Sequence, residues 1–279
     1  MPKQKYTFAS ILRDSILILW GLIILLPLCW VLIGSFKNNV QLYENPWGLP
    51  TEYHFENFAR AWSEAQIGLF FVNSIVVTAF SVTIGVFLSV LAAYVVNRFP
   101  YRIVKFAFWA FTASMMLPLV LTLVPKFLII RDAGLLDSRM GLVLVYVAGA
   151  IPFGVFTMES FFASLPKSFE ESAFIDGAGP FTTFLRIITP LTAPGVTVIT
   201  IFQFLGSWNE FYHAMVLVSS PAKFTIPLGM VRLIEVQQYS IEWGPIFAGM
   251  VIVIIPILAF FALTQKRLVG GLTAGGLKG

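Results

Sequence analysis

The sequence has few charged residues, cysteines and histidines for its length. Only 11% of its 279 residues are Asp, Glu, Lys or Arg, and the mean hydropathy is +0.85. A soluble domain carries about 25% charged residues, so this chain has too little polar surface for water alone, and lipid must solvate much of it. The single cysteine, Cys29, excludes an internal disulfide and a thiolate metal site, and His54 and His213 stand in no metal-ligand spacing.

The motifs of catalysis are also missing. The pattern Gly-x4-Gly-Lys-Ser/Thr occurs nowhere, so the chain has no P-loop for ATP. No converging catalytic set is evident, and we expect a subunit that is not an enzyme and binds no metal or cofactor itself. An ion-coupled secondary transporter is a less favoured interpretation of this sequence. Such a transporter should carry more ionisable residues within its spans and an internal repeat, and the sequence shows neither.

Six long segments contain no charge. They are Ser15–Phe36, Ala65–Asn97, Phe106–Pro125, Met140–Met158, Ile187–Asn209 and Trp243–Gln265. A helix needs about 20 mainly apolar residues to cross the hydrocarbon core, and none of these segments alternates in polarity as a barrel strand would. The sequence therefore predicts an all-α integral membrane protein with a single transmembrane domain over 1–279. Its spans are expected at approximately 15–36, 68–96, 106–127, 140–162, 193–218 and 243–265.

The basic residues favour an orientation with both termini in the cytoplasm. With the N-terminus inside, 11 of the 18 Lys and Arg residues lie in the inner segments 1–14, 97–105, 164–190 and 266–279. Cytoplasmic loops carry this excess in membrane proteins. The net charge of +4 is then an orientation signal, and we expect a lipid bilayer and no nucleic acid as its partner.

One cytoplasmic segment, 165–190, exceeds what a simple bundle needs. Ser168 and Glu171 form a capping-box pattern, which predicts a helix that begins after Ser168. Gly177 then ends that helix after about eight or nine residues. So short a helix is marginal alone in water and needs packing. It either lies against the membrane interface or serves as a docking knob for a cytoplasmic partner.

This segment resembles the EAA loop of binding-protein-dependent ABC importer permeases. Glu171-Ser-Ala-Phe-Ile-Asp176-Gly177-Ala178 is followed at the family's spacing by Ile187-Ile-Thr-Pro190. Ser172 departs from the alanine usual at its position, although it is also small. The resemblance implies a coupling loop over 165–190 that contacts the ATPase through residues drawn from this motif: Glu171, Ser172, Ala173, Asp176, Gly177 and Ala178.

Other stretches are similar to the carbohydrate permeases of the maltose-transporter type, and within it to the MalG-like subunit. They are Phe71-Val-Asn-Ser74, Trp208-Asn-Glu-Phe211 and the glycine-rich end Gly270–Gly279. The resemblance implies the type I ABC importer permease fold and import of sugars. The implied partners are a second homologous permease, two cytoplasmic ATPase subunits that bind ATP and Mg, and an extracytoplasmic sugar-binding protein.

The same resemblance implies a subcellular location and further contacts. The location is a bacterial or archaeal cell membrane. The cytoplasmic tail 266–279, with Thr273 and Lys278, either inserts between the ATPase subunits or is a flexible end. A glycerol-phosphate or polyol substrate is the alternative to a sugar, because related permeases share these motifs.

A polar cluster in the fifth span is the candidate substrate pathway. It comprises Trp208, Asn209, Glu210 and Tyr212. A carboxylate within the bilayer costs roughly 2.5–3.5 kcal/mol on insertion scales, so Glu210 should face a cavity or a polar partner. Aromatic faces and hydrogen-bond acceptors suit a sugar. The competing interpretation is that Asn209 and Glu210 only bind neighbouring helices to one another.

Overall fold

The computed structural model describes residues 8–236 and 241–276, and the regular structure in these ranges is entirely helical. Its helices, numbered in chain order, are α1 (Phe8–Gly34), α2 (Asn39–Glu44), α3 (Glu56–Ser63), α4 (Ile67–Arg98), α5 (Arg102–Ser114), α6 (Leu119–Asp132), α7 (Arg139–Ala163), α8 (Ser168–Ile175), α9 (Pro180–Thr182), α10 (Thr189–Leu191), α11 (Ala193–Trp208), α12 (Tyr212–Leu217), α13 (Ile226–Val236) and α14 (Trp243–Gly276). A π-helical segment, Thr183–Ile188, joins α9 to α10, and Pro221–Lys223 is a 3₁₀ turn.

Four of these helices are long and apolar enough to cross a membrane unaided: α1, α4, α7 and α14. Two further spans are possible if bent helix pairs count as one each. The chain bends by 116° between α5 and α6, and by 81° between the helical segment Pro180–Leu191 and α11. The described residues thus provide four spans, or up to six, in agreement with an all-helical membrane fold.

Two of the predicted spans are wrong as continuous helices. The span predicted at 106–127 breaks between Ser114 and Leu119. Pro118 lacks a backbone N–H and disfavours helical backbone at the residue before it, which explains the break. The span predicted at 193–218 ends at Trp208, and α12 begins only at Tyr212. The intervening Glu210 carboxylate accepts hydrogen bonds from the N–H groups of His213 and Ala214 in the first turn of α12 and so stabilises the start of a new helix.

The chain divides into two compact units, Met1–Gly68 with Met230–Ile255 and Leu69–Gly229 with Pro256–Gly279. In the first unit, the buried amide of Asn57 on α3 donates to the backbone oxygens of Ser35 and Lys37, at 3.0 and 2.9 Å. These bonds hold α3 against the C-terminal end of α1.

The second unit has a core built from three long helices and the π segment. Its fully buried members are Val90 and Ala93 on α4, Val155, Met158 and Phe162 on α7, Phe184 and Ile188 on the π segment, and Ile199 on α11. The π segment is explained by Pro190, which has no N–H to donate to the carbonyl of Arg186 in an α-helical pattern. This core fixes the chain on both sides of α8.

Candidate functional site

Helix α8 presents one buried and one exposed face. Glu170 and Ala173 are buried, at 8% and 4% exposure, whereas Phe169, Phe174 and Ile175 are exposed. Three large apolar side chains are thus exposed on a helix of eight residues, and exposed apolar side chains at this density favour contact with another protein. The N-cap is Lys167 rather than Ser168, so the predicted capping box is wrong. The turn already starts at Pro166, whose carbonyl accepts from the N–H of Phe169.

A buried ion pair anchors α8 to the end of α4. Arg98 Nε donates to Glu170 Oε1 at 2.6 Å, and the two side chains are only 7% and 11% exposed. The guanidinium also donates to Asn97 Oδ1 and to the carbonyl of Leu165, and Asn97 in turn donates to Glu159 at 3.0 Å. Each of the three guanidinium nitrogens therefore donates a hydrogen bond, which fixes the geometry of the ion pair.

The C-terminus of α8 is a Schellman motif centred on Gly177. The N–H of Ala178 bonds to the carbonyl of Ala173, and the N–H of Gly177 bonds to that of Phe174. Gly177 has a φ of +81°, and a Cβ added to it would meet no atom within 4 Å. The prediction that Gly177 ends this helix is confirmed, and the reason is its backbone conformation rather than lack of space within the chain.

The predicted ATPase-contacting residues fall into two groups. Glu171, Ser172, Asp176 and Gly177 are exposed, and Ala178 is half-buried. Ala173 is buried within the chain itself, so it supports the helix from below and offers no contact surface. Thr273 lies within α14, but its side chain lies outside what the structure describes, and Lys278 lies outside the described residues.

Glu210 is the centre of a second polar cluster. Its Oε1 accepts from the backbone N–H of His213 at 2.8 Å, and its Oε2 accepts from Tyr146 Oη at 2.8 Å. His213 Nδ1 lies 2.8 Å from Glu210 Oε1, and its Nε2 lies 3.1 Å from Lys126 Nζ. A neutral imidazole protonated at Nδ1 satisfies both contacts, since it donates to Glu210 and accepts from Lys126.

This cluster borders a cavity of about 290 Å³ between α7, α11 and α12. Its wall contains aromatic rings and polar side chains, among them Tyr146, Phe153, Phe202, Gln203, Ser207 and Glu210. Sequence reasoning found Glu210 but missed the others, because α7 and α11 come together only in the folded chain. Gln203 could have been singled out from the sequence, because it is a polar residue inside a charge-free apolar segment.

The remaining residues of the predicted substrate pathway lie elsewhere. Trp208 is 2% exposed and packs its ring edge-on against Phe71 and flat against Phe204. Asn209 is exposed, and its side-chain amide donates to the carbonyl of Leu205 at the end of α11. Tyr212 is exposed. The structure therefore brings only Glu210 of the predicted four to the cavity, and Glu210 also performs the helix-joining role of the competing interpretation.

A third polar cluster joins two loops through Asp137, which follows α6. The Asp137 carboxylate accepts from the hydroxyl and N–H of Ser220, the ammonium of Lys223 and the N–H of Ser219. These donors, the Ser220 hydroxyl first, hold the pKa of Asp137 well below its usual range. Asp137 has a φ of +50°, a conformation that Asp tolerates better than most residues.

Comparison with known proteins finds a matching family and similar relatives. The family described as "Binding-protein-dependent transport system inner membrane component" matches residues 85–272. The diacetylchitobiose uptake system permease protein NgcG of Streptomyces coelicolor is 37% identical over 268 residues, covering 96% of this chain and 88% of that protein. The trehalose transport system permease protein SugB of Mycobacterium tuberculosis is 30% identical over 279 residues, covering all of both chains.

A solved structure shares the fold. It is the crystal structure of a bacterial ABC transporter involved in the import of the acidic polysaccharide alginate. One of its chains superposes with a TM-score of 0.82 at 23% identity, over 95% of this chain and 99% of that one. The all-helical fold is therefore that of a type I ABC importer permease, as the sequence predicted.

Proposed function

Because this chain belongs to the family of inner membrane components of binding-protein-dependent transport systems, we propose that it is the sugar permease subunit of an ATP-driven importer. Family membership makes it a multi-pass inner-membrane protein. The sugar assignment is supported by the relatives named for uptake of diacetylchitobiose and of trehalose. In this proposal the chain is not an enzyme and binds no cofactor, its termini face the cytoplasm, and the membrane is that of a bacterium or archaeon.

The partners in this proposal divide the work. A second homologous permease completes the translocation pathway, of which this chain forms half. Two cytoplasmic ATPase subunits bind ATP and Mg and close on each other, and the extracytoplasmic sugar-binding protein delivers sugar to the outward-open state. Hydrolysis then returns the pathway to its inward-open state.

The observation that carries the proposal is the construction of α8. Its base is held by the buried Arg98–Glu170 pair, while Phe174 and Ile175 stand exposed at its tip. A helix that transmits the closure of an ATPase must bind the partner firmly and must stay fixed on its own subunit. The ion pair meets the second requirement and the exposed apolar surface meets the first.

The experiment is a comparison of two glycines in the same loop. Gly177 has a φ of +81°, and Gly179 has a φ of −72° with open space around it. Gly177→Ala forces an L-residue into the left-handed region, at a cost of roughly 1–2 kcal/mol, and should tilt or fray the end of α8. Gly179→Ala adds the same methyl group to a conformation that any residue adopts, so it is the matched control.

The readouts are sugar uptake and binding-protein-stimulated ATPase activity in proteoliposomes containing the complete complex. A panel of labelled disaccharides, including diacetylchitobiose and trehalose, provides the substrates. We expect Gly177→Ala to lower both activities while the subunits still co-purify, and Gly179→Ala to behave as wild type. Gly177→Asp should lower both activities too, because it adds a charged side chain at the surface proposed to meet the ATPase. ATP-independent uptake by this chain alone, or equal activity of Gly177→Asp and wild type, would contradict the proposal.

A further inference from the structure

The cavity beside Glu210 has the dimensions of a site for one small ring. Its volume is about 290 Å³, just below the range of roughly 300–1,000 Å³ for ligand pockets. Phe153 and Phe202 stand side by side at its wall, with ring centroids 5.0 Å apart and planes inclined by 56°. Such faces pack against the C–H face of a pyranose, and Tyr146 adds a third ring with a polar edge.

Polar atoms at the cavity have spare hydrogen-bonding capacity. Gln203 is 4% exposed, and its Nε2 donates to Ser89 Oγ at 3.3 Å, but its Oε1 has no hydrogen-bond partner among the described residues. A buried carbonyl oxygen without a donor is unusual, since it forfeits the free energy of a hydrogen bond. Ser207 supplies a hydroxyl, and the Tyr146 oxygen, which donates to Glu210, can still accept.

The charge at the cavity is compensated. The Glu210 carboxylate already accepts from Tyr146, from His213 and from the N–H of Ala214, and Lys126 reaches it through His213. The site therefore offers neutral acceptors rather than an unpaired charge. A neutral polyhydroxy ring, which presents hydroxyl donors and an apolar face, suits it better than a phosphate, a carboxylate or an acyl chain.

We propose that this cavity binds one neutral pyranose unit of the transported sugar, so that this subunit contacts the substrate itself through Gln203, Ser207 and Tyr146. This inference rests on the proposed function as a sugar permease. In the bound state the Gln203 side chain turns its amide oxygen away from Gly85, beside which the oxygen now lies, to accept from a sugar hydroxyl. The sugar ring packs against the faces of Phe153 and Phe202 at the cavity wall.

Two glycines allow the cavity to be filled without disturbing the fold. Gly149 on α7 and Gly206 on α11 both line it, and a Cβ added at either position meets no atom within 4 Å. Gly206→Leu and Gly149→Leu should place a branched side chain where the pyranose would lie. Gly21→Leu on α1 is the matched control, since a Cβ there also meets no atom within 4 Å and the residue lies in a different part of the chain.

The measurement is uptake of the labelled disaccharide that the wild-type complex transports best from the panel above, together with ATPase activity stimulated by the loaded binding protein. We expect each filling variant to raise the KM for uptake at least about tenfold, with thermal stability close to that of wild type. Gly21→Leu should retain the wild-type KM. An unchanged KM in both filling variants would overturn the inference while leaving the sugar-permease assignment intact.

Gln203→Leu provides a readout that a purely structural amide would not give. Gln203→Leu removes a buried amide oxygen that has no hydrogen-bond partner among the described residues, but it also takes the donor away from the buried Ser89 hydroxyl. Because these two effects oppose each other and Leu is nearly the same size, thermal stability should change little. Uptake should nevertheless show a KM raised by about tenfold, for one lost hydrogen bond to the sugar. A Gln203→Leu complex that is less stable but has the wild-type KM would assign the amide to helix packing alone and would overturn its role in binding.

Failure of the proposed function gives a different result. If the wild-type complex takes up no neutral sugar from the panel but imports a glycerol phosphate, the sugar assignment is wrong, and with it the pyranose site. If the wild type imports sugar and only the cavity variants differ from expectation, the fault lies with the site.

Discussion

Arg98, the last residue of α4, reaches across to α8 and binds Glu170 with its Nε 2.6 Å from Oε1. The neighbouring Glu171 is exposed on the other side of the same helix. Two adjacent glutamates of one helix therefore have different roles. Glu170 holds the helix to its own subunit, and Glu171 remains available for a partner.

Mutagenesis should distinguish the roles of the two glutamates. Glu170→Ala leaves the buried guanidinium of Arg98 unpaired, which typically costs about 3–5 kcal/mol. We expect a lower melting temperature of the detergent-solubilised complex and a loss of uptake. Glu171→Ala should leave the melting temperature unchanged and weaken only ATPase association or coupling. Equal melting temperatures for Glu170→Ala and wild type would show that the pair does not anchor α8.

Close packing of α4 against α7 depends on Gly154. A Cβ at this position would lie 2.5 Å from the Cβ of Ser89 and 3.2 Å from Gln203 Nε2. Gly154→Ala should therefore destabilise the protein by about 1–3 kcal/mol, the usual range for overpacking. Thermal unfolding in detergent tests this expectation. The companion change Ser89→Gly removes the clashing atoms and should restore much of the stability; if the double variant is no more stable than Gly154→Ala, the clash is not the cause.

The sequence predicted the membrane fold because that fold depends on local composition. A helix such as α7 needs only an uninterrupted apolar run to be recognised, and the EAA-like segment could be located from the spacing of Gly177 and Pro190. The Arg98–Glu170 pair could not be predicted, because its members are 72 residues apart and their contact depends on how α4, α7 and α8 pack. The break after Trp208 was also missed.

That break shows why composition alone fails within an apolar segment. Hydropathy treats Glu210 as a costly carboxylate inside one long helix. In the structure its two oxygens bond to the N–H groups of His213 and Ala214, and this bonding requires the chain to leave the helix first. A capping side chain and an intramembrane charge look identical in the sequence, and only the backbone conformation of 209–211 distinguishes them.

The loop junction at Asp137 should make stability depend on pH. Its pKa is depressed in the folded protein, chiefly by the Ser220 hydroxyl, whereas an unfolded Asp has a pKa of about 3.9. The ionised form is thus favoured by folding, so its contribution is fully present above the unfolded value and is lost as the pH falls below it toward the folded value. Asp137→Asn should accordingly lower stability at pH 7 by roughly 1–2 kcal/mol. It should lower stability by less at pH 3, where the unfolded carboxyl is largely protonated while the folded one is still ionised.

Melting temperatures at pH 7, 5 and 3 measure this difference. Asp132→Asn is the control, because among the described residues Asp132 pairs only with its exposed neighbour Arg131 at the surface, where such pairs contribute little. A difference between Asp137→Asn and wild type that is constant from pH 7 to pH 3 would mean that the charge of Asp137 does not stabilise the junction.

The Lys126–His213–Glu210 chain predicts coupling between two residues that do not touch. Lys126 contacts His213 Nε2, and Glu210 contacts His213 Nδ1, so each charge compensates the other through the imidazole. Lys126→Met alone should leave the Glu210 carboxylate without a nearby cation, and Glu210→Gln alone should leave the ammonium without its counter-charge. Each single variant should lose stability, and the double variant should lose less than the sum, by about 0.5–3 kcal/mol in a double-mutant cycle. Thermal unfolding of the four proteins measures the cycle. Strict additivity would show that the two charges act independently and that His213 transmits nothing between them. Positive coupling would explain how an ammonium and a carboxylate persist together beside the cavity.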